Sequence, residues 1–226
     1  MPFPPDPLLS LAAHRPGARL PLQGMTLLIV DDSRFACDAL RLILQRAGAR
    51  LRRAENLASA RRHLDTYRPD LAIVDLGLPD GCGEELIADL AAQGLPVLGL
   101  SGDPAGRERA LKAGARDFLE KPITSAAELV RLIGQFAAGA GPDAGGEMGP
   151  APPGDPAALR DDLMRAARLI QACADPAYTL SFLQSLARSA RDPGLEQAAR
   201  GAATQFDRSR LTRLIDDRLQ MLAAVG

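Results

Sequence analysis

Cysteine, histidine and long apolar runs are all scarce in this chain of 226 residues, and each shortage excludes something. Cys37, Cys82 and Cys173 lie far apart, without the paired spacing of a zinc site or the density of a disulfide scaffold, so reduced thiols in a cytoplasm are expected. No uncharged apolar run reaches the roughly 18 residues that a membrane helix needs. The opening stretch MPFPPDPLLSLAAHRPGARLP has prolines where a signal peptide needs a positive start and an unbroken apolar core, so residues 1–24 read as a flexible arm. Charge of one sign is missing too: 27 Lys plus Arg face 28 Asp plus Glu, which leaves no global field to draw in nucleic acid or an anionic membrane.

From residue 25 onward, short apolar runs alternate with longer amphipathic ones, the pattern of βαβ units around a parallel sheet. TLLIV (26–30) leads into Asp31 and Asp32, and Phe35, Ala39, Leu40, Ile43 and Leu44 follow at helical spacing until Gly48. ARLRRAE makes a weaker second strand, after which Asn56 caps a helix bearing Leu57, Ala60 and Leu64. LAIVD (71–75) is a third strand, apolar enough to be covered on both faces. A helix over 83–92, a strand over 96–100, a short helix over 104–113, the strand DFLE and a helix opened by Ser125-x-x-Glu128 complete an α/β domain over 25–137, a doubly wound five-stranded parallel sheet.

Residues 138–156 are mostly Gly, Ala and Pro, with hardly a large apolar side chain to anchor a core, and read as a linker. Every candidate element beyond it is helical. Leu159, Leu163, Ala166, Ile170 and Cys173 form one stripe, and Asp175-Pro176 and Asp192-Pro193 divide the rest into helices near 177–190, 194–204 and 208–224. About seventy residues of small helices bury a thin core, so this bundle (157–226) is expected to lean on dimerisation or on the first domain.

All carboxyl ends of a parallel sheet share one edge, where ligands of open α/β sheets bind. Asp31 and Asp32, Asp75, Ser101 and Lys121 leave strands one, three, four and five, so three carboxylates, a hydroxyl and an ammonium should face one crevice. Three like charges so close repel by roughly several kcal/mol at an intermediate dielectric. A divalent cation resolves the conflict, and Mg²⁺ prefers such oxygens while keeping positions free for a phosphoryl group.

The segments VDDS (30–33), VDLGLPDGCG (74–83), LSG (100–102) and LEKPI (119–123) resemble the receiver domain of bacterial two-component response regulators. That resemblance implies a signalling protein rather than an enzyme, in which Asp75 accepts a phosphoryl group from a sensor histidine kinase. It assigns Asp31, Asp32 and the Gly77 carbonyl to Mg²⁺ alongside Asp75, Ser101 to the switch hydroxyl, Gly102 to the small residue beside it, and Phe118 to the aromatic that turns inward. Lys121 then matches the family's lysine, and Pro122 the proline after it, whose preceding bond is often cis in the family. A changed surface on the fourth helix, fifth strand and fifth helix is the implied readout.

Other candidates read more plainly. His63 is expected to face solvent, and the C-terminal helices lack histidine, which excludes a histidine phosphotransfer domain. Cys37 and Cys82 read as packing residues, and Arg50 to Arg53 with Arg61 and Arg62 as a solvated face. LEQAARGAATQFDRSRLTRLIDDRL is reminiscent of a helix-turn-helix, but its turn is long and Asp207, Asp216 and Asp217 offset its arginines. An interaction or dimerisation module, possible homodimer included, is the first reading of that region, and a DNA-binding output the alternative.

Overall fold

The computed structural model describes residues 20–136, 155–172, 174–202 and 207–225. Five parallel strands, β1 (Thr26–Val30), β2 (Arg50–Ala54), β3 (Leu71–Asp75), β4 (Val97–Ser101) and β5 (Asp117–Glu120), lie in the order β2-β1-β3-β4-β5. β3 is central and buried at every residue, whereas β2 is an edge strand with alternate residues exposed, which accounts for its weak apolar signal.

Alternation along the strands splits the core in two. Leu27, Ile29, Leu71, Ile73, Leu98 and Leu100 face α1 (Arg34–Arg46) and α5 (Ala126–Gly134). Leu28, Val30, Ala72, Val74 and Val97 face α2 (Leu57–Thr66), α3 (Gly83–Ala92) and α4 (Gly106–Lys112). The helix caps form as the sequence requires: Asn56 and Ser59 make a reciprocal capping box, and the Ser125 hydroxyl accepts from the Glu128 amide. Structure begins before residue 25, because Leu22 is fully buried in the first core and its amide donates to Ala47 O at 2.8 Å. Residues 1–19 of the expected arm, residue 137 at the expected end of the first domain, and residues 138–154 of the expected linker lie outside the described residues, as does Cys173.

Four further helices follow, α6 (Pro156–Gln171), α7 (Pro176–Ser189), α8 (Pro193–Gly201) and α9 (Arg208–Val225). Asp155, Asp175 and Asp192 cap the first three, each followed by a proline at the first helical position, where a missing N–H costs nothing. α6 packs chiefly on α9, and α7 on α8. Their shared core holds Leu163, Ala166, Ile170, Leu183, Leu186, Leu195, Leu211 and Ile215.

One member of that core comes from the first domain. Phe35, counted by its spacing with the α1 residues that face the sheet, is buried instead among the side chains of the helical bundle. The bundle therefore neither hangs free nor covers α4 and α5. It lies across α1 through α6 and α7, and α7 also meets the loop after β3.

Candidate functional site

The carboxyl edge of the sheet brings together every residue that the strand-end argument named. Asp31, Asp32 and Asp75 are buried, and one carboxylate oxygen from each lies within 4.8 Å of the others. Lys121 Nζ reaches Asp31 Oδ2 and Asp75 Oδ2, both at 2.9 Å. The Asp75 contact is a hydrogen bond, whereas Asp31 Oδ2 is met as a charge only and accepts no aligned hydrogen bond.

Neighbouring backbone fixes each group. Asp31 Oδ1 accepts from the Ser33 amide at 2.9 Å, and Asp75 Oδ1 from the Gly77 amide at 3.3 Å. The Lys121 amide donates to Ser101 O at 2.9 Å, which ties the strand end carrying the ammonium to the one carrying the hydroxyl. Ser101 Oγ accepts from the Asp103 amide at 3.1 Å. The Lys121–Pro122 bond is cis.

Three acids around one ammonium make a site short of positive charge. Burial pushes the Asp75 carboxyl up, with the Lys121 charge opposing it and Asp31 and Asp32 adding to it. Burial alone would lower Lys121, but the charges of Asp31 and Asp75 outweigh it and hold the ammonium firmly protonated. Burial is the larger cause for Asp75, and the neighbouring carboxylates the deciding one for Lys121. Burial and the Asp31 charge push Asp32 up to about 6, despite its hydrogen bond from Tyr178 and the charge of Arg165.

The donor set fits a small oxygen-seeking cation. Carboxylates are the right ligands, they are close enough to share one ion, and Asp31 Oδ2 is a buried acceptor without an aligned donor. Gly77 is half-buried beside Asp75, where its carbonyl is near enough in sequence to join them.

Phe118 is buried, with its ring against Gly99 and Gly106. A Cβ on either glycine would come 3.3 Å from a ring carbon, and one on Gly99 would approach Ala110 Cβ at 2.6 Å. The aromatic expected to turn inward already lies inside. Glycine in the middle of a strand is a signal of close approach, and Gly99 carries it.

Several functional neighbours were missed by sequence, and all of them come from the helical bundle. Tyr178 Oη donates to Asp32 Oδ2. Arg165 Nη1 donates to Asp32 O at 2.8 Å, and Nη2 lies 3.2 Å from Asp32 Oδ2. Asp162 accepts from Ser33 Oγ at 2.8 Å, the Phe35 amide at 3.0 Å and the Arg34 amide at 3.2 Å, so it satisfies the first turn of α1. Lys121 Nζ also donates to Ser185 Oγ at 3.1 Å. A signal existed: Ala158, Asp162 and Arg165 repeat at the same spacing as Leu159, Leu163 and Ala166, one residue earlier, and so form a second face of α6 turned from the first.

Two plain readings need correction. His63 is half-buried, its Nε2 lying 3.1 Å from the Arg53 carbonyl, because α2 packs back on β2. Cys82 is exposed at the start of α3 rather than packed in a core, whereas Cys37 is buried with Sγ 3.4 Å from Asp31 O; burial, then the Asp31 charge, pushes that thiol up and out of reactivity.

A doubly wound parallel sheet whose strand ends gather three acids, a hydroxyl and a lysine is the architecture of a receiver-type signalling domain. Residues 27–133 match the response regulator receiver domain family, and the chain belongs to it. It is 42% identical over 99 residues to the KDP operon transcriptional regulatory protein KdpE of Escherichia coli (strain K12), covering 42% of this chain and 44% of that protein. An uncharacterized 14.6 kDa protein in the sodA1 3' region of Leptolyngbya boryana is 33% identical over 129 residues, 54% of this chain and 98% of that one. A putative response regulator from Chloroflexus aurantiacus J-10-fl, solved as a crystal structure, shares 34% identity over 50% of this chain and 96% of its own, with a TM-score of 0.47. The chain thus spans less than half the length of KdpE, and α6 to α9 fall outside the family match. Among the described residues, no helix is long and apolar enough to cross a membrane.

Proposed function

We propose that Asp75 accepts a phosphoryl group from a phosphohistidine of a sensor kinase or a phosphotransfer protein, in a two-component relay. The observation that carries this reading is the convergence of Asp31, Asp32 and Asp75 on one buried point, with Lys121 2.9 Å from two of them. An Asp75 carboxylate oxygen attacks phosphorus in line; the new O–P bond forms as the donor's N–P bond breaks, and the imidazole leaves with the electron pair and takes up a proton. Asp31, Asp32, Asp75 and the Gly77 carbonyl would hold Mg²⁺, which when bound supplies positive charge to the phosphoryl oxygens. Lys121 adds the fixed positive charge of the site, and Ser101, released from the Asp103 amide, would donate to a phosphoryl oxygen. The resulting acyl phosphate is a signal rather than a product, with Ser101 and Phe118 as the switch pair.

The helices α6 to α9 are read as a protein-interaction or dimerisation module that answers to the switch. The alternative, a DNA-reading output, draws on relatives whose names say transcriptional regulatory protein, over alignments that span less than half of this chain. The packing of α9 along α6 rather than chiefly on α8 speaks against a helix-turn-helix pair.

Labelling by acetyl phosphate with Mg²⁺ tests the reading. Wild type should acquire an acid-stable, hydroxylamine-labile phosphate that Asp75→Asn lacks. Equal labelling of the two proteins would overturn the assignment of Asp75.

A further inference from the structure

We infer that the α6–α7 face is a built-in plug for the phosphoacceptor pocket, so that docking of the helical bundle competes with the cation and with any phosphodonor. The labelling half of this inference rests on the reading of Asp75 given above; the cation half does not.

The groups that touch the pocket are those a competitor needs. Asp32, a carboxylate of the cation site, is already bonded to Tyr178 Oη and Arg165, and the guanidinium also bonds the Asp32 carbonyl and Tyr178 Oη. A guanidinium there brings the positive charge that the three acids lack, and it is held in place by the Phe182 ring 5.1 Å beneath it. Lys121 is drawn partly to Ser185. Two glycines admit the helix: a Cβ on Gly77 would lie 3.1 Å from Ser181 Oγ, and one on Gly102 3.2 Å from Ser185 Cα.

What space is left does not admit a phosphoryl group. The cavity between Asp32, Asp75, Ser101 and the α7 residues Ser181, Phe182 and Ser185 has a volume of about 20 Å³, room for one water molecule. α7 closes the side of Asp75 that opens onto this cavity, the side on which a donor would be blocked.

Docking is held by more than the pocket. Phe35 is buried in the bundle's core, and Asp162 takes the amides of Arg34 and Phe35. These contacts sit on α1, beside the pocket and apart from the acceptor. Release of the plug would expose Phe35 and the first turn of α1 together with the acids, so one opening step would uncover both the acceptor and the adjoining surface for a donor.

The full-length chain tests this with two variants. Phe35→Ala removes an apolar anchor and leaves every pocket group in place; Arg165→Met with Tyr178→Phe removes the polar plug at nearly constant volume. Circular dichroism checks that the helices persist. Mn²⁺ affinity is read by electron paramagnetic resonance, and initial labelling by acetyl phosphate is read separately. If the plugged form dominates by about ten to one, both variants should bind Mn²⁺ about tenfold tighter and label about tenfold faster, since apparent affinity scales with the fraction of competent molecules. Wild-type Mn²⁺ affinity in Phe35→Ala would overturn the inference, even if the polar variant binds more tightly, because the effect would then be local charge rather than docking. If nothing labels, the Asp75 reading fails while the Mn²⁺ arm still decides whether the plug exists.

Discussion

Gly83 stands where the backbone of α3 meets the end of β3, and no other residue fits. A Cβ there would lie 2.0 Å from the Asp75 carbonyl oxygen and 2.9 Å from Leu76 Cα, backbone atoms that cannot turn aside. The same closeness allows the Gly83 amide to donate to Leu76 O at 3.1 Å and pins the strand end that aims Asp75. Gly83→Ala should therefore cost about 3 kcal/mol through overpacking, read as a lower urea midpoint at unchanged slope. A midpoint equal to wild type would mean that α3 can slide outward freely. Residue chemistry of this kind was half visible in the sequence: the acids, Ser101 and Lys121 announce themselves by type at strand ends, while Gly83 is marked only as the first residue of a helix.

At the scale of elements, α8 and α9 are joined by a charge pair that also serves as a cap. Asp192 accepts from the Leu195 amide at 3.0 Å, and its carboxylate meets Arg218 Nε at 2.5 Å and Nη2 at 3.1 Å. The hydrogen bond from Arg218 is the main cause that holds this carboxyl below its ordinary value of 3.8. A carboxyl lowered by folding stabilises the native state above its unfolded pKa, and that contribution is lost as pH falls through the lower folded value. Asp192→Asn should thus melt below wild type at neutral pH, and the gap should shrink as pH drops below about 4, where wild type too becomes protonated. Melting followed by circular dichroism across that range checks the sign; a gap that widens in acid would refute it. The helices themselves were legible from the Asp-Pro pairs, since proline fits the first turn and aspartate the cap.

For the molecule as a whole, Lys121 and Arg165 offset part of the charge of the pocket acids in the docked form, and Tyr178 occupies an Asp32 oxygen as a hydrogen-bond donor. A ligand stabilises only the states that bind it, by an amount that grows as the logarithm of one plus its concentration over its Kd. Saturating Mg²⁺ should then raise the melting temperature of wild type little and that of Phe35→Ala more, and a chelator should leave wild type nearly unchanged. Scanning calorimetry of both proteins with and without Mg²⁺ measures the difference. A larger shift in wild type would mean that cation and helices bind together.

Local pattern determined the sheet, its alternating helices and the gathering of acids, because apolar periodicity sets which face is buried and a parallel sheet puts all carboxyl ends on one edge. The bundle's helices were determined likewise, by proline, caps and a stripe at helical spacing. Where the bundle rests was decided only in three dimensions. Phe35 has the spacing of a sheet-facing residue and lies in the other core; Asp162 and Arg165 look like an ordinary polar face of α6 and bond to α1 and Asp32. Contacts between residues more than a hundred positions apart leave no period in the chain, since they depend on the complementary shape and charge of two surfaces that form only once each part has folded.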